Sequence, residues 1–246
     1  MPKDYLHNHS QFRTLLNIVA EDMGILPALV EKDYWIMHVL YGLTKQKYKF
    51  ELKGGTSLSK GYRLIERFSE DIDIHITPPE EFKINENPKN TKPANVAARK
   101  AFYDWLATNI KINGITNVER DTAFDEPDYY RSGGIRLLYQ TAFGKIDGVK
   151  EGILLEAGFD TITPNQKITM SSWALDRALT TQGIDIIDNR AIDITCYDRV
   201  TLLSKNCRLS PPSTERSRKA KRKVLTSCGN IMMSTAYWEM PRYSNL

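Results

Sequence analysis

Apolar residues recur three or four positions apart in three stretches of the chain. In residues 9–22 they are Phe12, Leu15, Leu16 and Val19. The same spacing runs through residues 28–45 and 94–111. It predicts that each stretch forms a helix with one buried face.

Short apolar runs with period-two alternation predict strands between and after these helices. One strand ends at the Gly54-Gly55 pair, and a second carries Asp71 and Asp73. Further strands are predicted at 115–119, 134–141, 150–158 and 167–171, with an edge strand at 183–188. Strands flanked by N-terminal and central helices favour an α/β (α+β) fold with a mixed sheet.

Two later segments have weaker patterns. Residues 171–183 are predicted to be partly helical, and residues 191–198 to lead into a C-terminal helical part. We found no internal repeat, and no low-complexity tract before residue 199. The predicted organisation is therefore one main domain over 1–198, followed by a tail of different character over 199–246.

Asp71 and Asp73 are the first candidates for chemistry. Side chains on a strand alternate between faces, so both carboxylates project from the same face, opposite Ile72 and Ile74. Adjacent carboxylates repel each other unless a cation neutralises them. Mg²⁺ prefers oxygen ligands and keeps waters and substrate phosphates as its remaining ligands. The pair therefore indicates a metal-dependent phosphoryl or nucleotidyl transfer site, although a D-x-D alone is also common on ordinary strands.

The Gly54-Gly55-Thr56-Ser57 turn precedes this strand, with a helix predicted over 58–67. Glycine lets the backbone approach a phosphate closely, and the first amides of a helix point towards an anion. The turn and the two carboxylates together predict a phosphate site beside a metal site.

The stretch GGTSLSKGYRLIERFSEDIDI, residues 54–74, closely resembles the core motif of the AbiEii/AbiGii toxin family. That family is part of the DNA polymerase β-like nucleotidyltransferase superfamily, whose pattern is a Gly-Gly or Gly-Ser turn followed by Asp-x-Asp/Glu. The family form adds Arg-x-Ser before the aspartates, which Arg67 and Ser69 match.

The resemblance implies a nucleotidyltransferase fold and the toxin half of a toxin–antitoxin or phage-defence (abortive infection) pair. It implies an NTP as substrate, Mg²⁺ or Mn²⁺ as cofactor and a cognate antitoxin as partner. The acceptor would be an RNA, which for some relatives is the 3′ end of tRNA. In the implied site, Asp71 and Asp73 hold the metal and Gly54, Gly55, Thr56, Ser57 and Ser69 lie along the phosphates.

A third carboxylate is expected on a strand adjacent to the Asp-x-Asp strand, because two-metal phosphoryl-transfer sites commonly use three. Glu156, at the end of the apolar run Ile153–Leu155, is the first choice as a metal ligand and catalytic group. Asp160 and Asp185 are the alternatives. The plain reading of Glu156 is a strand-end residue that faces solvent.

Basic residues near the motif have open roles. Lys60, Arg63 and Arg67 could neutralise phosphate charge or lie on the surface. Glu31-Lys32-Asp33 resembles an N-terminal segment of the family, for which a structural role is favoured, although Lys32 could reach a phosphate. His75 follows on the Asp71 face, where a hydrogen-bonding role is favoured over metal ligation.

Bulk properties agree with a cytoplasmic enzyme. No run of 18 or more apolar residues is present, and the N-terminus is polar, so neither a membrane span nor a signal peptide is expected. The three cysteines show no metal-site spacing. Ten of the 34 basic residues but two of the 30 acidic residues lie from Arg199 onward, so the tail is basic and the body slightly acidic.

The basic tail is open to three interpretations: a disordered arm, a nucleic-acid contact, or an out-of-frame segment. The family resemblance implies that this region should carry a Glu-Lys helix and then a Tyr-Asp segment, which complete the nucleotide site. When residues 199–239 are back-translated and read one base earlier, permitted codons encode such a segment without a stop. The sequence thus favours a frameshift, and the alternative function is an impaired remnant that binds nucleotide or RNA without turnover.

Overall fold

The computed structural model describes residues 3–64, 68–144, 150–159 and 165–197. Its helices are α1 (Phe12–Met23), α2 (Pro27–Lys45), α3 (Gly54–Thr56), α4 (Pro93–Asn109) and α5 (Trp173–Thr180). Its strands are β1 (Phe50–Lys53), β2 (Asp71–Ile76), β3 (Ile115–Asp121), β4 (Ser132–Tyr139), β5 (Ile153–Gly158), β6 (Asn165–Met170) and β7 (Ala191–Tyr197). The tail from residue 199 lies outside the described residues, so its division from the main domain stays a prediction.

Local signals fix the ends of the main helices. Gly24 ends α1 in the left-handed conformation, at φ 64°, and its amide donates to carbonyls of the last turn. Pro27 starts α2, where its missing N–H costs nothing. Ser172 caps α5 by accepting a hydrogen bond from the Leu175 amide at 3.2 Å. None of the helices in these ranges has the length and apolar character needed to cross a bilayer.

The strands of the described ranges form one mixed sheet in the order β3-β4-β5-β2-β1-β7-β6. β2 is antiparallel to β1 and parallel to β5, while β1 is parallel to β7. The predicted α/β fold with a mixed, helix-flanked sheet is therefore confirmed. This order places β2 at the centre of the sheet, so the Asp-x-Asp strand has a neighbour on each side.

The two faces of the central strands differ in polarity. Leu52, Ile72, Ile74 and Leu155 are fully buried and belong to the same apolar core as residues of α1, α2, α4 and α5. Asp71 and Asp73 alternate with these isoleucines and are half-buried on the opposite face. The alternation predicted from the sequence thus separates a core face from a polar face.

Three of the predicted elements differ in the structure. The helix predicted over 58–67 instead begins with α3 at Gly54 and ends with a π-helical turn, Ser57–Gly61, before Arg63 adopts a φ of 51°. Residues 191–197 form a strand, because their β-branched residues alternate and pair with β1 and β6. The predicted edge strand at 183–188 is reduced to a bridge between Ile186 and Asp4.

Candidate active site

Sheet register brings three carboxylates onto the polar face. Asp73 on β2 is directly paired with Glu156 on β5, and Asp71 lies two residues before Asp73. Because paired residues in adjacent strands project to the same side, all three side chains share one face. The structure therefore places Glu156 where the sequence predicted the third carboxylate to lie, on a strand adjacent to the Asp-x-Asp strand.

Among the described residues, the three carboxylates outnumber the lysines that lie beside them. Burial raises the pKa of Asp73, and the neighbouring Asp71 raises it further. Burial also raises the pKa of Glu156, followed by the charges of Asp73 and Asp71. Lys150 Nζ donates to Asp71 Oδ2 at 3.0 Å, and the charges of Lys150 and Lys53 lower the pKa of Glu156. Two lysines thus stand beside three carboxylates.

The three carboxylates are the kind of ligand that a divalent cation prefers, but their side chains are not gathered around one point. Within the described residues, the buried Asp71 Oδ1 atom has no hydrogen-bond partner. An unpaired buried carboxylate oxygen is costly, and a hard cation would satisfy it. However, no set of three or more His, Cys, Asp and Glu side chains in the described ranges is arranged to hold a metal ion. The carboxylates share a face but do not converge on one point.

The glycine turn packs directly against this cluster. Gly54 has a φ of 71°, and a Cβ built there would overlap the Asp73 carboxylate. A Cβ at Gly55 would lie 3.0 Å from Ser69 Oγ. The two glycines therefore allow the turn to approach β2 and Ser69 more closely than any side chain would permit.

The hydroxyls of the turn point inward. Thr56 is 1% exposed, and its Oγ1 donates to the Asp71 carbonyl at 2.6 Å. Ser57 is fully buried. Ser57 lies near the Cys196 thiol. Burial raises the pKa of that thiol to about 12, and a hydrogen bond with the Ser57 side chain opposes this rise. Thr56 thus fixes the turn to β2, and any phosphate contact here falls to the backbone amides.

A sequence model of the family described as nucleotidyl transferase AbiEii toxin, type IV TA system, matches residues 38–218. The chain belongs to this family. The match covers most of the chain and includes the glycine turn and all three carboxylates, which confirms the resemblance seen in the sequence. It also continues for 20 residues past Asp198, into the segment assigned above to a shifted frame. A comparison with curated proteins gave no match.

Family membership makes the chain a nucleotidyl transferase toxin, and the type IV toxin–antitoxin system implies an antitoxin partner. The expected enzyme class is confirmed in that form.

The Glu31-Lys32-Asp33 segment of this AbiEii chain is buried rather than solvated, each residue being 1% exposed. Lys32 Nζ donates to Glu70 Oε2 at 2.9 Å and to the Lys150 carbonyl at 2.6 Å. Burial lowers the pKa of Lys32, and the bonded Glu70 opposes that shift. Lys32 thus joins α2 to the residue before β2 and to the segment before β5, which agrees with a structural role.

The other two acids of that segment hold further loops. Glu31 accepts hydrogen bonds from Thr141 Oγ1 at 2.7 Å and from the Ala142 amide at 2.9 Å. Asp33 accepts from the Trp173 amide at 2.9 Å and pairs with Lys60 Nζ at 2.5 Å. One turn of α2 therefore anchors three segments around the site.

The basic residues predicted on the motif are used differently from one another. Lys60 is paired with the buried Asp33, and its ammonium lies 3.6 Å from the centre of the Trp173 ring. Arg63 and Ser69 line a cleft of about 740 Å³ that also borders Thr56. Arg67 lies outside the described residues, so its predicted phosphate contact stays a prediction.

His75 is buried between two acids. Its Nε2 lies 3.1 Å from Glu86 Oε2, and its Nδ1 lies 3.6 Å from Glu51 Oε2. It is two residues beyond Asp73 on the same strand and face. This placement agrees with the favoured hydrogen-bonding role.

Of the alternative third carboxylates, Asp160 lies outside the described residues. Asp185 is 70% exposed and pairs with Lys3 at 2.6 Å, at an isolated stretch next to Ile186. It is on no strand beside β2, whereas Glu156 lies on β5 and is paired directly with Asp73.

Sequence analysis missed Lys53 and Lys150. Lys53 is paired with Asp73 across β1 and β2, and Lys150 reaches Asp71 from just before β5. Period-two alternation could have indicated Lys53, because it precedes Gly54 at the end of an alternating strand. No sequence signal indicated Lys150, because its position depends on the parallel pairing of β2 with β5.

Proposed function

We propose that this chain transfers a nucleotide from an NTP to a hydroxyl of an RNA acceptor in a reaction that requires a divalent metal. The observation that carries the proposal is the pairing of Asp73 with Glu156, which puts three carboxylates on one face beside the Gly54 turn. A nucleotidyl transferase family with this arrangement needs both a phosphate site and a cation site.

Asp71 and Asp73 would hold Mg²⁺ or Mn²⁺, with Glu156 completing the ligand set. The metal, when bound, would neutralise charge on the NTP phosphates. Asp71 Oδ1 has the unpaired oxygen for this role, and the Asp73 carboxylate lies directly beside Gly54. Small side-chain movements would gather the three carboxylates, since they already share one face.

Glu156 would also take the proton of the attacking hydroxyl, because it lies directly beside Asp73 on the same face. The hydroxyl oxygen would then bond to the α-phosphorus as the bond to the β-phosphate oxygen breaks, releasing pyrophosphate. The amides of Gly55 to Ser57 would donate to phosphate oxygens, and Ser69 would lie beside them. Lys53 and Lys150 would balance phosphate charge from the β1 and β5 sides.

The acceptor we propose is an RNA such as tRNA, and the setting is the toxin half of a phage-defence pair in the cytoplasm. Type IV toxin family membership supports the toxin role. The basic composition from Arg199 onward supports an anionic partner, because that segment contains ten basic and two acidic residues. If the reading frame of this segment is shifted, the alternative function is favoured, which is an impaired remnant that binds nucleotide or RNA without turnover.

The deciding experiment is incubation of the purified chain with each labelled NTP, Mg²⁺ and total RNA. We expect label from one NTP to enter a discrete RNA band, and to be lost on chelation. Binding of an NTP without incorporation, in a protein of confirmed frame, would favour the remnant. Incorporation that persists in EDTA would contradict metal dependence.

A further inference from the structure

The ring of Phe124 lies over the polar face of the sheet. It ends a short 3-10 turn, Thr122–Phe124, that follows β3. A Cβ built at Gly134 on β4 would come within 2.8 Å of the Phe124 Cβ. Gly134 is paired with Glu156, and Glu156 with Asp73. Phe124 therefore stands over the strand next to the one that carries Glu156.

Two ion pairs hold the Phe124 turn from its two ends. Arg136 donates to Asp121 Oδ2 from Nε at 2.8 Å and from Nη2 at 2.5 Å. Arg120 Nη2 lies 2.7 Å from both oxygens of Asp125. All four charged side chains are less than one-fifth exposed, so these pairs are shielded from solvent. The turn presents its ring on a rigid support, which lowers the entropic cost of binding a ligand there.

Two cationic side chains lie close to the Phe124 ring, and one of them also contacts a carboxylate of the site. Lys150 Nζ lies 3.0 Å from Asp71 Oδ2 and 5.6 Å from the centre of the Phe124 ring. The Arg136 guanidinium carbon lies 5.9 Å from the same ring. A flat apolar surface with flanking cations is what a nucleotide requires, since its base stacks on an aromatic ring while its phosphates pair with cations.

The distances suit a nucleotide whose phosphates lie at the carboxylates. Asp73, Glu156 and Gly134 are paired across three adjacent strands, so Gly134 is two strand spacings, roughly 10 Å, from Asp73. That separation is comparable with the reach of a nucleotide from its phosphates to its base. The ring of Phe124 lies at the far end of this span.

The competing explanation is that Phe124 only covers the sheet. Leu154 is fully buried on the same face as Asp71, yet it is not part of the main apolar core. Phe124 itself remains partly exposed, so a surface of the ring is available beyond whatever it covers. A branched aliphatic side chain would serve equally well as a cover but could not stack on a base.

We propose that Phe124 is the stacking surface for a nucleobase of the substrate, either that of the NTP or that of the 3′-terminal nucleotide of the RNA acceptor. The proposal rests on the proposed nucleotidyl transfer function and adds the site that receives the base. The two arms of the test decide whether the stacked base belongs to the NTP or to the RNA acceptor.

The test measures quenching of 2-aminopurine fluorescence, which reports stacking directly. One arm titrates the full chain with 2-aminopurine riboside triphosphate and Mg²⁺, without acceptor. The other uses a short RNA that ends in 2-aminopurine, without NTP. In one arm, Phe124→Leu should lose the quenching and bind about 5- to 150-fold more weakly, the range for loss of one stacked base. Phe124→Tyr should retain both the quenching and the affinity of the unmodified chain.

Tyr129→Leu is the matched control, because Tyr129 is also partly exposed and lies 4.5 Å from the Arg131 guanidinium, outside the carboxylate cluster. It should leave both titrations unchanged. Equal quenching and affinity for the Leu variant and the unmodified chain in both arms would overturn the proposal and leave Phe124 as a cover. A thermal melt of each variant shows that a lost signal is not lost folding.

The labelled-NTP transfer assay separates this result from failure of the proposed function. If the unmodified chain transfers a nucleotide and Phe124→Leu retains its KM for NTP and for RNA, only the stacking proposal fails. If the unmodified chain transfers none with any NTP, the proposed function fails, and the quenching titrations still decide whether a base stacks on Phe124.

Discussion

Gly54 and Asp73 lie so close together that a β-carbon on the first would overlap a carboxylate oxygen of the second. The glycine turn and the Asp-x-Asp strand are therefore packed against each other as one unit. The conformation at Gly54, with φ at 71°, also disfavours any other residue. The contact explains why the motif needs a glycine at position 54.

Gly54→Ala should displace the Asp73 carboxylate and lower nucleotide transfer by about 100-fold, as expected when a reacting group is misplaced by about 1 Å. Gly183→Ala is the matched control, because Gly183 has a φ of 82° but open space around it. Gly183→Ala should cost about 1 kcal/mol of stability from backbone strain, and Gly54→Ala should cost more because the overlap adds to the strain. Only the first should affect transfer, measured by incorporation of labelled NTP. Equal activity in the two variants would contradict the contact argument.

Asp71→Asn and Asp73→Asn should each abolish transfer and growth inhibition while the thermal melt stays cooperative. The carboxylates share one face and supply the charged oxygens that a divalent ion needs, which an amide replaces poorly. Asp185→Asn, at an exposed ion pair away from the sheet centre, should behave like the unmodified chain. Unmodified transfer rates in both site variants would mean that the reaction centre is elsewhere.

Lys32→Met should lower both stability and transfer. The substitution leaves the Lys150 carbonyl and the Glu70 carboxylate without their buried donor, at a cost of about 1–3 kcal/mol in unfolding free energy. Lys100→Met provides the control, because Lys100 is 54% exposed and pairs with Asp104 on the helix surface. Urea unfolding measures the difference. A Lys32 variant as stable as the control would show that the buried bonds contribute nothing net.

His38 should make the protein sensitive to acid. Its Nε2 donates to the Asn113 carbonyl at 3.0 Å, and Asn189 Nδ2 donates to its Nδ1 at 2.8 Å. Burial lowers its pKa to about 4. The unfolded chain binds the proton near the ordinary value of about 6.5, so stability is full above that pH and falls as the pH drops towards 4.

The expected loss from His38 is roughly 3 kcal/mol across this window, seen as a falling midpoint in urea unfolding. His38→Gln should flatten the pH dependence, although it will lower stability at neutral pH. His9→Gln, at a partly exposed position of the N-terminal segment, should leave the dependence intact. Identical slopes for all three proteins would count against the buried neutral histidine.

The reading frame of the tail can be tested independently of the described structure. Intact mass and sequencing of the gene should establish whether residues from Arg199 follow the natural frame. If they do not, restoring the frame near Asp198 should raise transfer and toxicity, because the family resemblance implies a lysine and an aspartate from that region. A gene whose natural frame encodes these residues would contradict the frameshift, and the family match up to residue 218 favours that outcome.

Much of the fold was accessible from periodicity alone. Helices at α1, α2 and α4 and the faces of Asp71 and Asp73 follow from residue spacing, which depends only on neighbours in the chain. The motif helix was predicted too long, because spacing does not show that Arg63 leaves the helical region. The strand β7 was missed although Ile192 and Ile194 alternate, because its pairing with β1 and β6 cannot be read from residue spacing.

Pairings between distant segments could not be predicted. Glu156 was chosen from its place at a strand end, but its register with Asp73 follows from the sheet order. The burial of Lys32 was not foreseen, because a charged side chain in a helix ordinarily faces solvent. The role of Lys60 was left open between phosphate and the surface, and its ion pair with Asp33 was not foreseen because it depends on how α2 lies against the motif turn.

Glu31, Lys32 and Asp33 occupy one turn of α2, and each bonds to a different connecting segment. The three segments consequently share a single point of attachment. Any local opening of this helical turn releases all of them together, so the surroundings of the carboxylates should lose order in one cooperative step rather than as independent loop motions. The stability of a buried helical turn thereby sets how often the site exists in its assembled form.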